Sequence, residues 1–243
     1  MSSDTANLDV MRHAKHYNRA MAALVLDAFS LQSRNGEIKR SILDFGAGQG
    51  TFLRLLQEDT KGKPLQWLAV EPETVVDTQE TQKFKSLVSI PPGVLDCVYS
   101  LNVFEHIKED KAVFTQLLEK VKVGGMLFIL VPAHMELWTA MDKRVGHCRR
   151  YTNHSLRFLV RAHNTALISE GNFDEIGYWL TRLVVAIERK RPADPDKAGL
   201  VTEAQIKVFD YLFFLGNPLV KALTWLTGFR KAKNRWVLVK KLG

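Results

Sequence analysis

The residues that could perform chemistry are concentrated in a glycine-rich loop and in the acids on either side of it. Three glycines occupy alternate positions after an apolar run: Gly46, Gly48 and Gly50. In a strand-loop-helix unit such glycines allow the backbone to turn sharply and approach a ligand, and the helix that starts at Thr51 directs its N-terminal amides toward it. Glu71 ends the next apolar run, about 20 residues after the loop, where an acid that binds ribose hydroxyls belongs. The pattern predicts a site for a ligand that contains adenosine.

The acid before the loop separates two classes of ligand. A dinucleotide fingerprint has the spacing GxGxxG, whereas this loop has GxGxG preceded by Asp44. A carboxylate suits a ligand that carries an ammonium and a sulfonium group better than one that carries a pyrophosphate. The stretch DFGAGQG (44–50) resembles the first motif of the Rossmann-like (class I) S-adenosylmethionine-dependent methyltransferases. The resemblance implies S-adenosylmethionine as cofactor and S-adenosylhomocysteine as product.

The resemblance covers most of the chain. The stretch LDCVYSLNVFEHI (95–107) looks like the fourth strand of that family and its following turn, and VGGMLFILVP (123–132) looks like the turn into the fifth strand. The terminal RWVLVKK (235–241) is similar to a last strand that returns antiparallel. A longer stretch, 132–156, resembles a subgroup of bacterial methyltransferases with a GHxRRY segment after the fifth strand.

The alternation of apolar runs and helical patterns independently indicates an α/β fold with a doubly wound, parallel sheet. Strands are predicted over 41–45, 66–71, 85–90, 95–101, 125–132, 172–180 and 235–241. Helices are predicted over 51–59, 74–84, 109–121 and 155–171, the last with Gly171 as its C-cap. The family resemblance implies seven mostly parallel strands in the order 3-2-1-4-5-7-6, with the last strand antiparallel.

We expect a single methyltransferase domain over residues 1–243. Its expected parts are an N-terminal helical cap (1–36), a cofactor-binding core (37–132), an inserted substrate loop (133–154) and a helical insertion before the last strand (182–230). Insertions on the carboxyl side of such a sheet usually carry substrate specificity. The helical insertions are therefore expected to cover the acceptor side.

Further cofactor contacts follow from the resemblance. The complete predicted set is Tyr17, Asp44, Gly46, Gly48, Gly50, Glu71, Pro72, Leu101 and Asn102. Tyr17 matches an aromatic position on a helix that folds over the cofactor in related enzymes, and its alternative role is core packing. Asp44 has an alternative role as the cap of its own loop, and Glu71 as an exposed acid at a strand end. The family's acidic residue near the adenine has no counterpart in 85–93.

Candidate catalytic and substrate residues follow the fourth and fifth strands. His106 and His147 are candidate general bases, needed only if the acceptor is a hydroxyl or a protonated amine. The candidate substrate residues are Glu105, Trp138, Arg149, Arg150 and Tyr151. Two adjacent guanidinium groups match an anionic acceptor. Alternatively, one arginine pairs with Asp142 and locks the inserted loop, and Glu105 and His106 have local roles at a helix start.

Charge and composition limit the partners. The net charge of +8 favours phosphates, nucleic acid or an anionic membrane, although the basic residues are scattered. Two cysteines are too few for a disulfide framework, so we expect a cytoplasmic protein, and no metal site is expected. The segment 206–230 is apolar at helical spacing but contains charged residues, glycine and proline. It is interpreted as core packing, a pocket wall, a dimer face or a peripheral membrane helix.

The predicted function is methyl transfer from S-adenosylmethionine to a small-molecule or lipid-linked acceptor, mainly by proximity and alignment. An anionic acceptor fits the paired arginines. RNA methylation is an alternative that the charge favours, although the sequence has no RNA-binding motif and no N/D-P-P-Y run. A cofactor-binding or partner-binding protein without catalysis is the second alternative. The acceptor and the oligomeric state stay open.

Overall fold

A mixed β-sheet forms the centre of the protein. The computed structural model describes residues 10–31, 40–72, 81–161, 163–190, 199–228 and 231–243. In this part of the chain seven strands are present: β1 Arg40–Phe45, β2 Leu65–Val70, β3 Thr81–Phe84, β4 Leu95–Leu101, β5 Val121–Pro132, β6 Thr165–Phe173 and β7 Asn234–Lys241. Their order is β3-β2-β1-β4-β5-β7-β6, and β7 runs antiparallel to both of its neighbours. The predicted fold class and strand order are confirmed.

Helices cover both faces of this sheet. They are α1 Lys15–Ala28, α2 Thr51–Asp59, α3 Asp110–Lys120, α4 Ala140–Arg144, α5 Asn153–Arg161, α6 Glu175–Lys190 and α7 Glu203–Thr227. One buried cluster joins α1, α2 and α7 to the sheet, and a second joins α3 and α5 to the opposite face. Adjacent strand residues such as Ile42 and Leu43 are both fully buried and belong to different clusters. The near-continuous apolar runs of the central strands follow from burial on both faces.

The third strand lies four residues earlier than predicted. Instead of 85–90, the strand is Thr81–Phe84, and Leu87–Ser89 form a 3₁₀ turn in which the Ser86 hydroxyl accepts a hydrogen bond from the backbone N–H of Val88. Leu87 and Ile90 are three residues apart, and this spacing places both in the core from a turn. The helix predicted over 74–84 is wrong for 81–84, and 73–80 lie outside the described residues.

The predictions after residue 160 need correction as well. The helix predicted over 155–171 ends at Arg161, and the strand predicted over 172–180 is mostly helix α6. Between them lies β6, which pairs only with β7 and therefore forms a sheet edge. Gly171 is inside this strand and is not a helix C-cap. A Cβ there would lie 2.6 Å from the Trp236 ring of β7, so the neighbouring strand requires glycine.

The second helical segment is tied to the N-terminal helix. Asp210 of α7 accepts hydrogen bonds from the backbone N–H groups of His16 and Tyr17, at 3.2 and 2.9 Å. Helix α7 also packs against α6, which contacts the 3₁₀ turn Met135–Leu137 after β5. Within the described ranges, no helix has both the length and the apolar character needed to cross a membrane.

Candidate functional site

The glycine loop lies at the carboxyl edge of β1, as predicted. All three loop glycines have left-handed backbones: Gly46 at φ +80°, Gly48 at φ +51° and Gly50 at φ +75°. A Cβ on Gly46 would lie 2.3 Å from a methyl group of Val103, which follows β4. The loop therefore packs directly against the turn after β4, and glycine is required by both conformation and space.

Glu71 lies beside this loop. Its carboxylate Oε2 accepts a hydrogen bond of 2.9 Å from the backbone N–H of Gly48. Two predicted cofactor residues are thus brought together across 23 positions of sequence. Pro72 follows as an exposed residue at the end of the described segment. This arrangement places a carboxylate at the loop, as recognition of a ribose requires.

Asp44 is almost completely buried, with 4% of its surface exposed. Burial and, to a smaller extent, the charge of Glu71 together raise the pKa of its carboxyl to about 7. A nearby positive charge would favour the ionised form and offset the cost of burial. The glycine cradle and this buried acid fit an adenosine ligand that carries an ammonium and a sulfonium.

The turn after β4 has a strained backbone. Asn102 has a φ of +55°, a conformation that asparagine tolerates better than most residues. Its backbone N–H donates to the carbonyl of Leu130 in β5 at 2.9 Å, while Leu101 before it is buried. Both residues lie at the edge that carries the glycine loop. Their contacts with the methionyl part of the cofactor stay a prediction.

Tyr17 lies in an aromatic cluster. Its ring packs edge-on against Phe173, Phe209 and Phe213, with centroids 5.1 to 5.3 Å apart. Its hydroxyl accepts a hydrogen bond of 2.8 Å from the side-chain amide of Asn234. Burial and the charge of Asp174 raise the pKa of Tyr17 well above its ordinary value. The structure shows the packing role of Tyr17, and its cofactor contact stays a prediction.

The two candidate bases lie together with Glu105. The rings of His106 and His147 are 4.7 Å apart, and His147 Nε2 lies 3.8 Å from Glu105 Oε1. Glu105 is completely buried, which raises the pKa of its carboxyl to about 8. The structure thus joins residues 41 positions apart into one cluster, defined here as the Glu105–His106–His147 cluster.

Asp142 organises the loop that carries His147. Its carboxylate accepts two hydrogen bonds from Arg150, at 2.9 and 3.0 Å, and lies 2.7 Å from His147 Nδ1. Burial raises the pKa of Asp142, but the hydrogen bonds from His147 and Arg150 outweigh this effect and hold the pKa far below its ordinary value. Arg150 also donates to the carbonyl of Ala133. The alternative in which one arginine locks the inserted loop is therefore observed for Arg150.

Arg149 and Tyr151 are anchored to a different acid. Arg149 donates to Asp110 at 2.9 Å, and the Tyr151 hydroxyl donates to the same carboxylate oxygen at 2.7 Å. Burial and Asp110 raise the pKa of Tyr151 well above its ordinary value. Trp138 is half-buried on the same inserted loop. Substrate contact by these three residues stays a prediction, and the observed contacts hold the loop in place.

Two functional partners were missed from the sequence. The sequence predicts an arginine partner for Asp142 but not its contact with His147, and it predicts no role for Asp110. The spacing D-x4-H-x2-R from Asp142 to Arg150 is the signal that could have found the first network. Asp110 gave no such signal, because its partners are about 40 residues away and meet it only in the folded chain.

The strand order with an antiparallel β7, the GxGxG loop and the acid after β2 define a Rossmann-like, class I methyltransferase. A family model described as "Methyltransferase domain" matches residues 13–170, roughly two thirds of the chain. The chain belongs to this methyltransferase family, and S-adenosylmethionine is the cofactor that this membership implies. No curated protein has a matching sequence.

Solved structures share the fold at low sequence identity. A chain assigned as a methyltransferase, in complex with the Trm112 methyltransferase activator of Haloferax volcanii, has a TM-score of 0.58 and 12% identity, with 99% of this chain and 98% of that chain covered. A chain assigned as a sarcosine dimethylglycine methyltransferase from Galdieria sulphuraria has a TM-score of 0.56 and 15% identity, with 92% and 85% covered. Phosphoethanolamine N-methyltransferase 2 of Haemonchus contortus, in complex with phosphomonomethylethanolamine and S-adenosylhomocysteine, has a TM-score of 0.56 and 13% identity. The match covers 89% of this chain and 52% of that chain.

Proposed function

We propose that this chain transfers the methyl group of S-adenosylmethionine to a small-molecule or lipid-linked acceptor, and that its apolar helices α6 and α7 rest on a lipid surface. The observation that carries the lipid-linked class is a large exposed apolar face. Its members are Trp179, Leu183, Val184, Ile187, Val208, Tyr211, Leu212, Phe214, Leu215, Leu219, Leu223, Trp225 and Leu226. Helices α6 and α7 pack together, and a large exposed apolar surface marks an interaction site.

The position of this face supports the assignment. Helix α6 contacts the turn Met135–Leu137, which begins the inserted loop after β5. Helix α7 has 25 residues, so it extends about 37 Å along the surface. Its exposed leucines and aromatic residues are those that a membrane-surface helix inserts below the headgroups. We propose 133–154 as the substrate loop between this face and the cofactor. The segment 206–230, for which the sequence predicts possible membrane contact, includes most of α7, and its residues 229–230 lie outside the described residues.

The reaction needs little acid-base chemistry. S-adenosylmethionine supplies an activated methyl group, so the chain has to align the acceptor with it and exclude water. The glycine loop and Glu71 hold the donor beside β1 and β2, and the turn after β4 lies against that loop. We also propose that the chain belongs to the GHxRRY subgroup and that it is cytoplasmic.

Calorimetry tests the cofactor site. We expect wild-type protein to bind S-adenosylmethionine and Glu71→Ala to bind it about tenfold or more weakly, because a charged hydrogen-bond partner is lost. Glu119→Ala removes an exposed acid outside the site and serves as the matched control. Absence of binding to wild-type protein would overturn the cofactor assignment.

Vesicle sedimentation tests the lipid surface. Wild-type protein should sediment with vesicles that contain phosphatidylglycerol, and the double variant Leu219→Gln/Leu223→Gln should bind them about tenfold more weakly, because two apolar side chains are lost from the face. Val88→Gln, at an exposed valine on the turn after β3, is the control. Equal sedimentation of the double variant and wild type would contradict a lipid surface at α7.

Two alternatives have distinct outcomes. Tight binding of tRNA with strong salt dependence would favour RNA methylation, which the net charge of +8 motivates. Binding of S-adenosylmethionine without transfer of a labelled methyl group to extracted lipids, small molecules or RNA would favour a non-catalytic role.

A further inference from the structure

The Glu105–His106–His147 cluster has the composition of a metal site. One carboxylate oxygen and two imidazole nitrogens lie within 4.8 Å of one another. Glu105 is buried, His147 is partly exposed and His106 is exposed, so the cluster has a buried floor and an open side. A site with three protein ligands and an open side leaves room for a further ligand.

The buried carboxylate needs a partner. Glu105 has no exposed surface, and neither of its carboxylate oxygens has a hydrogen-bond partner in the structure. Buried polar groups are nearly always satisfied, and a carboxylate without a partner in the protein interior is costly. Nε2 of His147 lies 3.8 Å from Glu105 Oε1, which is too far for a hydrogen bond. A cation between these atoms would satisfy both.

His147 is oriented as a ligand. Its Nδ1 lies 2.7 Å from Asp142, and this hydrogen bond places the proton on Nδ1 and the lone pair on Nε2, which faces Glu105. Asp142 is itself held by two hydrogen bonds from Arg150. A carboxylate that fixes the second ring nitrogen is the usual support of a metal-binding histidine.

We propose that Glu105, His106 and His147 bind a divalent transition-metal cation, with Zn²⁺ as the best match. Two imidazoles and one carboxylate are a known zinc set with an open position, whereas Mg²⁺ and Ca²⁺ prefer oxygen ligands alone. Tetrahedral zinc bonds place ligand atoms about 3.3 Å apart, so the 3.8 Å gap between His147 Nε2 and Glu105 Oε1 must shorten by about half an ångström, and a pair separated by the full 4.8 Å by about 1.5 Å. The proposal replaces the expectation that the chain has no metal site.

The site lies beside the cofactor loop. Val103 fills the space above Gly46, and the ring of Phe104 lies 6.3 Å from that of Phe45 at the end of β1. In a step that rests on the proposed function, the cation would bind an acceptor hydroxyl and lower its pKa. The hydroxyl proton passes to water, the oxygen lone pair bonds to the methyl carbon, and the carbon–sulfur electron pair returns to sulfur. His106 and His147 then act as ligands and not as general bases.

Zinc binding without S-adenosylmethionine tests the proposal. Untagged, EDTA-treated protein should bind one Zn²⁺ per chain in calorimetry, and Glu105→Gln and His147→Gln should each bind it at least about tenfold more weakly. His154→Gln, which removes an exposed histidine outside the cluster, should bind as wild type does. Equal binding by all four proteins, or no binding by wild type, would overturn the proposal.

A second measurement covers the case in which a variant does not fold. Co²⁺ added to EDTA-treated wild-type protein should produce visible absorption bands of a low-coordinate, nitrogen- and oxygen-ligated ion, and one equivalent of Zn²⁺ should abolish them. Absence of these bands would contradict the site. Because both measurements use the metal alone, failure here leaves the calorimetric result for S-adenosylmethionine unchanged, and failure of that result leaves the metal site intact.

Discussion

Asp44 shows how an environment changes what a side chain can do. The sequence predicts an acid at the loop that favours a cationic ligand. In the structure this acid is buried, and its pKa is raised to about 7, mainly by burial. Near neutral pH the carboxyl is therefore divided between its neutral and charged forms. Only the charged form attracts an ammonium or a sulfonium, so cofactor binding is coupled to the loss of a proton.

We expect the affinity for S-adenosylmethionine to fall as pH falls below 7. At pH 5.5 only a few per cent of a group with a pKa near 7 is ionised, so binding should be roughly twentyfold weaker than at pH 7.5. Calorimetry at both pH values measures this change. The variant Asp44→Asn should bind weakly at both. A wild-type affinity that is the same at both pH values would show that Asp44 does not titrate on binding.

Arg150 should contribute strongly to stability. Its two hydrogen bonds to the buried Asp142 depend on the planar guanidinium, which lysine cannot reproduce. Arg150→Lys should lower the free energy of unfolding by about 2–4 kcal/mol, measured by urea denaturation. Arg157→Lys is the control, because its pair with Glu170 lies at the surface and should contribute little. Similar urea midpoints for the two variants would contradict a structural lock at Arg150.

Among the strands, β6 departs most from its sequence pattern. Most residues of β6 are half-buried. The helical spacing of apolar residues in α5 continues into this segment, although the segment forms a strand. The ladder with β7 determines the conformation, because β6 completes its hydrogen bonds there and nowhere else in the described sheet. Tertiary pairing overrides local preference at this edge.

Gly171→Ala tests this edge. The added methyl group meets the Trp236 ring, which stacks on Phe128 of β5 and cannot move freely. The substitution should lower the free energy of unfolding by about 1–3 kcal/mol. Ser169→Ala in the same strand controls for the change of residue type. Equal thermal midpoints for the two variants would show that Trp236 yields without cost.

At the level of the domain, β7 is an interior strand although it is last in sequence. It pairs with β5 on one side and β6 on the other, and Val237 and Val239 are buried on the face that packs on α3 and α5. Strand β7 therefore contributes to the same buried cluster as β5, α3 and α5.

Deletion of residues 234–243 should prevent stable folding. The deletion breaks both ladders of β7 and exposes the buried face beneath α5, so the truncated chain should lose its cooperative thermal transition in circular dichroism. Deletion of only 242–243, which lie outside the strand, should keep the transition. A cooperative transition in the larger deletion would mean that the rest of the sheet is stable without β7.

The cofactor half of the site could be predicted because its signals are local. The glycines, Asp44 and Glu71 lie at strand ends whose position follows from apolar runs, and the structure brings Glu71 within 2.9 Å of Gly48. The acceptor half could not be predicted in the same way. The sequence predicts substrate contact for Arg149, Arg150 and Tyr151 and gives Asp142 as an alternative partner of one arginine. Asp110, in contrast, meets Arg149 and Tyr151 only in the folded chain.

The type of fold and the class of ligand are encoded in short-range patterns, because the period of apolar residues selects strand or helix and glycine spacing selects a loop. The family resemblance adds the strand order. The third strand, β6 and the Glu105–His106–His147 cluster depend on which segments meet in space, because pairing energy and burial come from distant residues. Glu105 is a plain acid at a turn in the sequence, and it becomes a buried, unpaired carboxylate beside two histidines only in the folded chain.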